Sequence, residues 1–257
     1  LIQLHHQKEG RRIGVVSDSS CHLIDGFDSV YALAQSALAK GISVEKEATE
    51  HTSDQTLDYE KIYNGDSDWR LLPTFDHPDE PARCLVSGTG LTHIGSAKDR
   101  DAMHVTEKSD APLTDSMKVF QWGVDGGKPG AGKVGVQPEW FYKGFGTILR
   151  AHGEPLTVPE YGDDGGEEPE IAGAYVIDQD GTPRRIGLMV GNEFADHVME
   201  KKNYLYLAPS KLRDAAIGPE LLVGADFDDI AGAVAIERQG KVVWSREIKT
   251  GEANMSH

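Results

Sequence analysis

The segment 167–211 constrains this chain more than any other, because two acidic residues stand at the head of a predicted β-hairpin. Glu168 and Glu170 are two residues apart before an apolar, β-prone run, so on a strand both carboxylates face the same side. Asp180-Gly181 is a strong hairpin-turn signal, and the apolar run after it can return antiparallel. The segment therefore predicts a hairpin with carboxylates at its open end.

The turn also sets the register of this predicted hairpin. A two-residue turn at Asp180-Gly181 places Gly191 opposite Glu170 and Glu193 opposite Glu168, which brings a third carboxylate to the first two. Three converging acids repel one another, and a hard divalent cation bound by oxygen ligands compensates their charge. A solvated acidic loop is the alternative interpretation, because acidic runs are common on the surface of an acidic chain.

The composition bears on partners and compartment. The chain of 257 residues has a formal net charge of −16, so a polyanion would be repelled and we expect no nucleic-acid partner. Cys21 and Cys84 provide no disulfide framework, which is typical of a reducing compartment. No apolar run approaches the roughly 18 residues of a membrane span, and residues from Leu1 onward lack the basic-then-apolar layout of a signal peptide. We therefore expect a cytoplasmic protein with no membrane partner.

The N-terminal part predicts short strands followed by helices. Ser29 can cap a helix over residues 29–41, with apolar residues at helical spacing and Gly41 at its end. A second short helix is predicted over about residues 56–63. The proline-rich segment 71–83 has no period and indicates a crossing between two units. We place a domain boundary near residue 80, with a small N-terminal α/β domain over 1–80 and a second domain over 81–257.

Beyond this boundary, a short strand beginning at Cys84 runs into a glycine-bearing turn, and a helix is predicted over residues 98–104. His93 lies at the junction. Histidine is the side chain best suited to move protons near neutral pH, although a lone histidine is more often a packed or exposed residue. An aromatic strand is predicted over residues 140–144.

The segment from Gly127 to Lys133 has the spacing of a phosphate-binding loop but lacks its other features. Val134 stands where the Ser or Thr that holds magnesium belongs. No buried parallel strand is predicted before the segment and no helix after it. The segment is therefore interpreted as a flexible turn.

Several short motifs occur between residue 83 and the end of the chain. They are Phe141-Tyr-Lys-Gly, Glu168-Pro-Glu170, Gly191-Asn-Glu193-Phe-Ala-Asp196, Ser210-Lys211 and Ile217-Gly-Pro219. Their order and approximate spacing resemble those of the fumarylacetoacetate hydrolase (FAH) superfamily, and within it the branch of 2-keto-3-deoxy sugar-acid dehydratases. The resemblance implies an α+β fold, with a mixed β-sandwich or β-roll catalytic domain after the small N-terminal domain.

The resemblance implies a role for each matching residue. Glu168, Glu170 and Glu193 match the magnesium ligands of the family, although the position of Glu193 is Asp in most relatives. Lys211 matches the active-site lysine, and the resemblance implies Mg²⁺ or Mn²⁺ as the cofactor. Contacts with substrate are expected from Tyr142, Lys143, Asn192 and Asp196.

His93 falls where hydrolytic members of the family carry the histidine of a His-x-x-Glu lid motif. Ser96 stands at the glutamate position of that motif, which disfavours the hydrolytic machinery. His93 is therefore expected either to protonate a leaving group or only to close the site.

The resemblance implies a lyase that dehydrates a 2-keto-3-deoxy sugar acid, such as 2-keto-3-deoxypentonate. The metal polarises the 2-keto group and stabilises the enolate that forms when a proton leaves C3. A lysine beside a divalent cation has its charged form disfavoured, so Lys211 is expected to act as a neutral base. The alternatives are an FAH-type hydrolase that cleaves a C–C bond of a 2,4-diketo acid and a relative that binds keto acids without turnover.

The resemblance also bears on assembly and on the ends of the chain. It implies a homodimer and a small-molecule 2-keto acid as the partner of the site. Relatives have further C-terminal strands beyond the position of His257, so we expect that this sequence lacks a last segment. The sequence begins at Leu1 instead of Met, which predicts that a residue is missing or that an end is trimmed.

Overall fold

The structure, a computed structural model, describes residues 1–90, 92–93 and 115–255. These residues form a mixed fold that consists mostly of antiparallel strands with several short helices. The chain divides into two compact units. Unit 1 comprises Leu1–Val86 and Tyr142–Ala225, and unit 2 comprises Ser87–Phe141 and Asp226–His257.

A five-stranded antiparallel sheet forms the N-terminal part of unit 1, in the strand order β4-β3-β2-β1-β5. Its strands are β1 (Ile2–His6), β2 (Gly10–Ser17), β3 (Ser20–Ile24), β4 (Thr52–Asp58) and β5 (Trp69–Leu71). Ile2, Leu4, Ile13 and Leu23 of this sheet are fully buried. The short N-terminal strands predicted from the sequence are confirmed.

The first helix, α1 (Val30–Lys40), begins and ends where the sequence predicts. The Ser29 hydroxyl accepts a hydrogen bond from the Ala32 amide at 3.2 Å. Gly41 ends the helix in the left-handed region with φ 67°, where a residue without a Cβ is favoured. The two capping residues in the sequence therefore predict the bounds of this helix correctly.

The second predicted helix is wrong in its extent. Only α3 (Tyr59–Tyr63) is helical in that region, because the Asp58 carboxylate accepts from the Lys61 amide at 3.1 Å and caps a helix that begins one residue later. The residues before it form β4, an edge strand paired with β3. A further helix, α2 (Val44–His51), was not predicted, although Ser43 caps it.

A four-stranded sheet with the order β8-β11-β10-β9 carries the C-terminal half of unit 1. Its strands are β8 (Leu149–Arg150), β9 (Pro169–Ile177), β10 (Pro183–Asn192) and β11 (Ala215–Ile217). Two helices, α5 (His197–Lys202) and α6 (Leu207–Lys211), follow β10 and return the chain toward β11. The end of β10 and the end of α6 therefore lie near each other in unit 1.

The hairpin of β9 and β10 does not have the predicted two-residue turn. The Asp178 amide donates to the Thr182 carbonyl at 2.9 Å, which leaves a three-residue loop over 179–181. Gly181 in this loop has φ 81°. A type I turn followed by a left-handed residue is a common form of three-residue hairpin loop.

A β-bulge corrects the register between this turn and the open end of the hairpin. Arg185 pairs with Tyr175 near the turn, whereas Gly187 pairs with Ala174 beyond it, so Ile186 is an extra residue in β10. At the open end Gly191 pairs with Glu170. The predicted pairing there is confirmed, although the turn from which it was derived is wrong.

Unit 2 contains one antiparallel strand pair, part of a second strand pair and one described helix, α4 (Asp115–Gly126). One pair is β12 (Ile230–Arg238) with β13 (Lys241–Thr250). The other is β6 (Leu85–Gly90) with β7 (Glu139–Phe145), and the chain passes between the units within these two strands. The predicted aromatic strand is thus present as β7.

The loop from Gly127 to Lys133 follows α4 directly, and chain without regular secondary structure follows the loop. A phosphate-binding loop instead follows a strand and begins a helix. The turn interpretation therefore agrees with the local structure.

The hydrophobic core of unit 1 includes residues from both sides of residue 80. Leu33 and Ile13 belong to the same buried cluster as Ala174 and Met189. The domain boundary near residue 80 stays a prediction, as does the sandwich or roll arrangement. The predicted helix at 98–104 and Ser96 lie outside the described residues.

No helix in the described ranges is both long enough and apolar enough to cross a bilayer. Cys21 and Cys84 are both free cysteines.

The loop of the β9–β10 hairpin generates a prediction about stability. We expect Gly181→Ala to lower the free energy of unfolding by about 1 kcal/mol, because the backbone there is left-handed and nothing lies near the new methyl group. Gly130→Ala is the control, since Gly130 also faces open space but has no positive φ. Urea unfolding measures both, and equal effects of the two substitutions would contradict the assigned loop conformation.

Candidate active site

Three glutamates meet at the open end of the hairpin. Glu168 precedes β9, Glu170 lies on β9, and Glu193 directly follows β10. The Glu193 amide donates to the Glu168 carbonyl at 2.9 Å. One carboxylate oxygen from each of the three residues lies within 4.8 Å of the other two. The hairpin therefore delivers three acids to one point, and we call these residues the carboxylate cluster.

Lys211, the last residue of α6, places its ammonium beside this cluster. Nζ donates to Glu168 Oε1 at 2.6 Å and to Glu193 Oε2 at 3.3 Å. Glu200 Oε1 on α5 lies 3.1 Å from the same Nζ. The side chain is buried, so these carboxylates replace the water that would otherwise solvate its charge.

The contacts of Lys211 oppose one expectation from the sequence. Burial on its own lowers the pKa of this amine, but the charges of Glu168, Glu193 and Glu200 outweigh burial and raise the pKa above its ordinary value. The expected neutral lysine depended on a cation beside the amine. The surrounding protein groups have the opposite effect and hold Lys211 protonated.

The members of the carboxylate cluster differ in their proton affinity. Burial opposes ionisation of Glu168, yet the hydrogen bond from His197 and the charge of Lys211 lower its pKa. Burial and the charge of Glu168 raise the pKa of Glu193. The protein atoms around its carboxyl exclude water although the residue as a whole is exposed, and this desolvation, followed by repulsion from Glu193 and Glu168, raises the pKa of Glu170 to about 8. The three acids of the cluster therefore differ in how readily they ionise, and Glu168 ionises most readily.

Lys143 on β7 is the second ammonium of the site and is 2% exposed. Its Nζ donates to Glu193 Oε1 at 2.9 Å, to the Phe194 carbonyl at 2.6 Å and to the Lys211 carbonyl at 2.9 Å. Burial lowers the pKa of Lys143, while the charge of Glu193 raises it, and the net change is downward. A lysine has three N–H donors, and all three are engaged by protein acceptors.

His197 is a site residue that the sequence reasoning missed. Its Nε2 lies 2.9 Å from Glu168 Oε1, and the hydrogen bond with this carboxylate raises the pKa of His197. A Cβ at Gly166 would lie 2.5 Å from His197 Nδ1, so the ring packs where only glycine leaves room. His197 and Glu200 are three residues apart on α5, and this helical spacing is the signal that could have identified both.

Two of the expected substrate contacts have mainly internal partners. Asn192 Oδ1 accepts from the Glu168 amide at 3.1 Å, and its Nδ2 donates to Glu167. Asp196 is fully buried. Its carboxylate binds backbone amides and a guanidinium, which belong to Met199, Asp163, Asp164 and Arg213.

Tyr142 is 38% exposed and packs edge-on against Phe145 with ring centroids 5.7 Å apart. Of the four residues expected to touch substrate, only Tyr142 is substantially exposed, while Lys143, Asn192 and Asp196 have the internal contacts described above. Direct contact of any of the four with substrate stays a prediction.

His93 lies in unit 2, whereas the carboxylate cluster lies in unit 1. His93 forms a bridge with Met255, and its Nε2 is in hydrogen-bond contact with the Thr250 hydroxyl. Burial lowers the pKa of this half-buried ring. Its role as an acid or a lid residue stays a prediction.

No family model and no curated protein sequence matches this chain. Solved structures do match it. A hexagonal crystal form of 2-keto-3-deoxyarabinonate dehydratase has a TM-score of 0.65 and 19% identity, over 99% of this chain and 78% of that chain. A 2-keto-3-deoxy-D-arabinonate dehydratase complexed with magnesium and 2,5-dioxopentanoate has a TM-score of 0.64 and 19% identity, over 99% of this chain and 77% of that chain.

A 5-carboxymethyl-2-hydroxymuconate delta-isomerase from Mycobacterium smegmatis matches with a TM-score of 0.53 and 15% identity, over 100% of this chain and 77% of that chain. The chain therefore has a fold similar to that of these enzymes. The resemblance found in the sequence is confirmed at the level of the fold, and the dehydratases have the higher TM-scores among these three structures.

The raised pKa of Glu170 generates a prediction about stability and pH. The folded-state pKa rises from 4.5 to about 8, so the folded protein without divalent cations binds a proton that the unfolded chain releases. The stability that this proton contributes is present below pH 4.5 and is lost as the pH rises to about 8. In EDTA, Glu170→Gln is therefore expected to stabilise the protein at pH 9 by about 1 kcal/mol, since solvent screens this exposed group, and to have little effect at pH 4.

Thermal unfolding at both pH values measures this difference. Glu160→Gln is the control, because it removes the same charge from an exposed position outside the carboxylate cluster. Equal effects of the two substitutions at pH 9 would show that net charge, and not repulsion within the cluster, is responsible.

Proposed function

We propose that this protein is a metal-dependent lyase that removes water from a 2-keto-3-deoxy sugar acid such as 2-keto-3-deoxypentonate. The observation that carries the proposal is the convergence of Glu168, Glu170 and Glu193 within 4.8 Å beside the ammonium of Lys211. The fold similarity to a dehydratase complexed with magnesium and 2,5-dioxopentanoate supports the proposed class of substrate.

The donor set of the carboxylate cluster fits a hard divalent cation. All three ligand groups are carboxylate oxygens, which suit Mg²⁺ or Mn²⁺ better than soft metals. Glu170 is exposed, and no hydrogen bond or salt bridge to the described residues engages its carboxylate. Glu168, Glu170 and Glu193 would hold the ion, and the ion would supply positive charge that stabilises a developing negative charge on the 2-keto oxygen.

The residues around the cluster account for the proton transfers of an elimination. We assign the removal of the C3 proton to Lys211 Nζ, which among the described amines is the one that contacts two acids of the cluster directly. A bound divalent cation would offset the carboxylate charge that otherwise holds this amine protonated, so that Nζ could accept the proton. Glu200 Oε1, 3.1 Å away, can keep the amine oriented after Lys211 receives the proton. The hydroxyl at C4 leaves with a proton from an acid, for which His93 is the candidate. The C3 proton and the C4 hydroxyl together account for the water that is lost.

Hydrolysis of a C–C bond is the alternative reaction of the same keto-acid chemistry. Hydrolysis needs an activated water molecule, whereas elimination needs only a base and an acid. Ser96 in place of the lid glutamate favours elimination. The homodimer and the cytoplasmic location expected from the sequence stay predictions.

The proposed function predicts turnover that depends on a divalent cation. Incubation with 2-keto-3-deoxypentonates of either chirality and Mg²⁺ is expected to give dehydration, and EDTA is expected to abolish it. Product formation is followed by mass spectrometry, and exchange of the C3 proton with D₂O is followed by NMR. Tight binding of the keto acid without turnover or exchange would replace the lyase proposal with a binding function.

Two substitutions separate the base from the metal ligands within the same assay. Lys211→Ala is expected to lower turnover and C3 exchange by at least ~10² while Mn²⁺ still binds. Glu170→Ala is expected to lose both turnover and Mn²⁺ binding. Lys201→Ala, at an exposed lysine of α5, is the control and is expected to behave as wild type. Full exchange in Lys211→Ala would place the base elsewhere.

The role of His93 is decided by the size of its effect. His93→Ala is expected to slow elimination by roughly 10² if the imidazole protonates the leaving hydroxyl. Because C3 exchange precedes departure of the hydroxyl, exchange is expected to remain in this variant. Steady-state kinetics and NMR measure the two steps. A loss below about tenfold would leave His93 with a lid role only.

A further inference from the structure

Lys143 occupies a position in β7 that the strand pattern alone would assign to an apolar residue. Trp140 and Tyr142 are exposed, and Lys143 lies on the opposite, inward face of the strand together with Phe141. A buried lysine is costly unless its charge is paired and its donors are satisfied. A polar residue at an inward strand position indicates a functional constraint.

The contacts of Lys143 join two separate segments of the site. Two acceptors, Glu193 Oε1 and the Phe194 carbonyl, belong to the chain just after β10, and the third is the carbonyl of Lys211 at the end of α6. Glu193 and Lys211 are 18 residues apart in the chain. One ammonium therefore binds both the segment that carries a member of the carboxylate cluster and the segment that carries the proposed base.

The contact with Glu193 also selects which of its carboxylate oxygens faces Lys211. Lys143 engages Oε1 at 2.9 Å, while Oε2 is the oxygen that lies 3.3 Å from Lys211 Nζ. A carboxylate held at one oxygen loses rotational freedom about its last torsion, so the other oxygen keeps one direction. The bond to the Lys211 carbonyl fixes the backbone from which that side chain extends.

We propose that Lys143 is a positioning residue, which sets the direction of Glu193 Oε2 and the place of Lys211 without touching substrate. The inference rests on the proposed function and assigns Lys143 a role other than the substrate contact expected from the resemblance. All three N–H donors point to protein acceptors, so none remains for a ligand.

The direction of the change in Mn²⁺ affinity separates a positioning role from a purely electrostatic one, because the two roles predict opposite changes. Removal of a positive charge beside a cation site strengthens cation binding by charge alone. Loss of a residue that orients a metal ligand weakens it, typically 10- to 100-fold. Lys143→Met, which keeps the aliphatic stem and removes the ammonium, is therefore expected to weaken Mn²⁺ binding about 10- to 100-fold, measured by electron paramagnetic resonance of free Mn²⁺.

Lys40→Met is the matched control. Lys40 Nζ lies 2.6 Å from Oε1 of the fully buried Glu47, so the variant loses the same type of lysine–glutamate pair at a place without contact to the cluster. All affinities are measured well below the unfolding midpoint of each variant. If Lys143→Met does not fold, Lys143→Arg takes its place, because it keeps the charge while a planar guanidinium does not reproduce the three bonds of the ammonium.

A second readout does not involve a metal. Acetylation of Lys211 by limiting acetic anhydride, followed by peptide mass spectrometry, is expected to be faster in Lys143→Met than in wild type or Lys40→Met, because the amine is no longer held among the carboxylates. Faster acetylation in a protein whose wild type binds no Mn²⁺ would support the positioning role and contradict the proposed function. Mn²⁺ affinity that is unchanged or higher in Lys143→Met, with unchanged acetylation, would overturn the inference.

Discussion

The register of one antiparallel hairpin decides where the acids of this site lie. Side chains alternate along a strand, so a slip by one residue would turn Glu170 to the other face of the sheet and separate it from Glu193. The backbone hydrogen bond from the Glu193 amide to the Glu168 carbonyl extends the strand pairing beyond the end of β10. Every other feature of the site, including both ammonium groups, is arranged around the position that this ladder gives to the three carboxylates.

The chain neutralises these carboxylates incompletely and unevenly. Desolvation and the neighbouring acids raise the pKa of Glu170, which has no hydrogen bond to His197 or Lys211. The hydrogen bond of His197 and the charge of Lys211 lower the pKa of Glu168 in spite of its burial. This asymmetry is what a site needs if it is to be stable when folded and still attract a cation. If protein cations paired with every carboxylate, none would be left to bind a metal ion. If none were paired, burial of their charges would be costly.

Local sequence signals predicted much of this structure, and tertiary contacts account for the rest. The caps at Ser29 and Gly41 act within one helix, and the sequence therefore predicts α1 correctly. The start of α3 depended on the Asp58 cap, which the apolar periodicity did not reveal. In the site, the carboxylates follow from strand alternation, but the internal bonds of Lys143 and the contact of His197 with Glu168 join residues far apart in sequence. No rule based on sequence spacing predicts contacts between residues so far apart in the chain.

The bulge at Ile186 and the three-residue loop offset each other in the register of the hairpin. A hairpin of the same length could close with a two-residue loop at Asp180-Gly181 and have no bulge, and Gly191 would still pair with Glu170. Either change alone would move this pairing by one residue and turn the acids of one strand to the other face. The conformation of the hairpin tip and the bulge are therefore coupled through the register that the acids require.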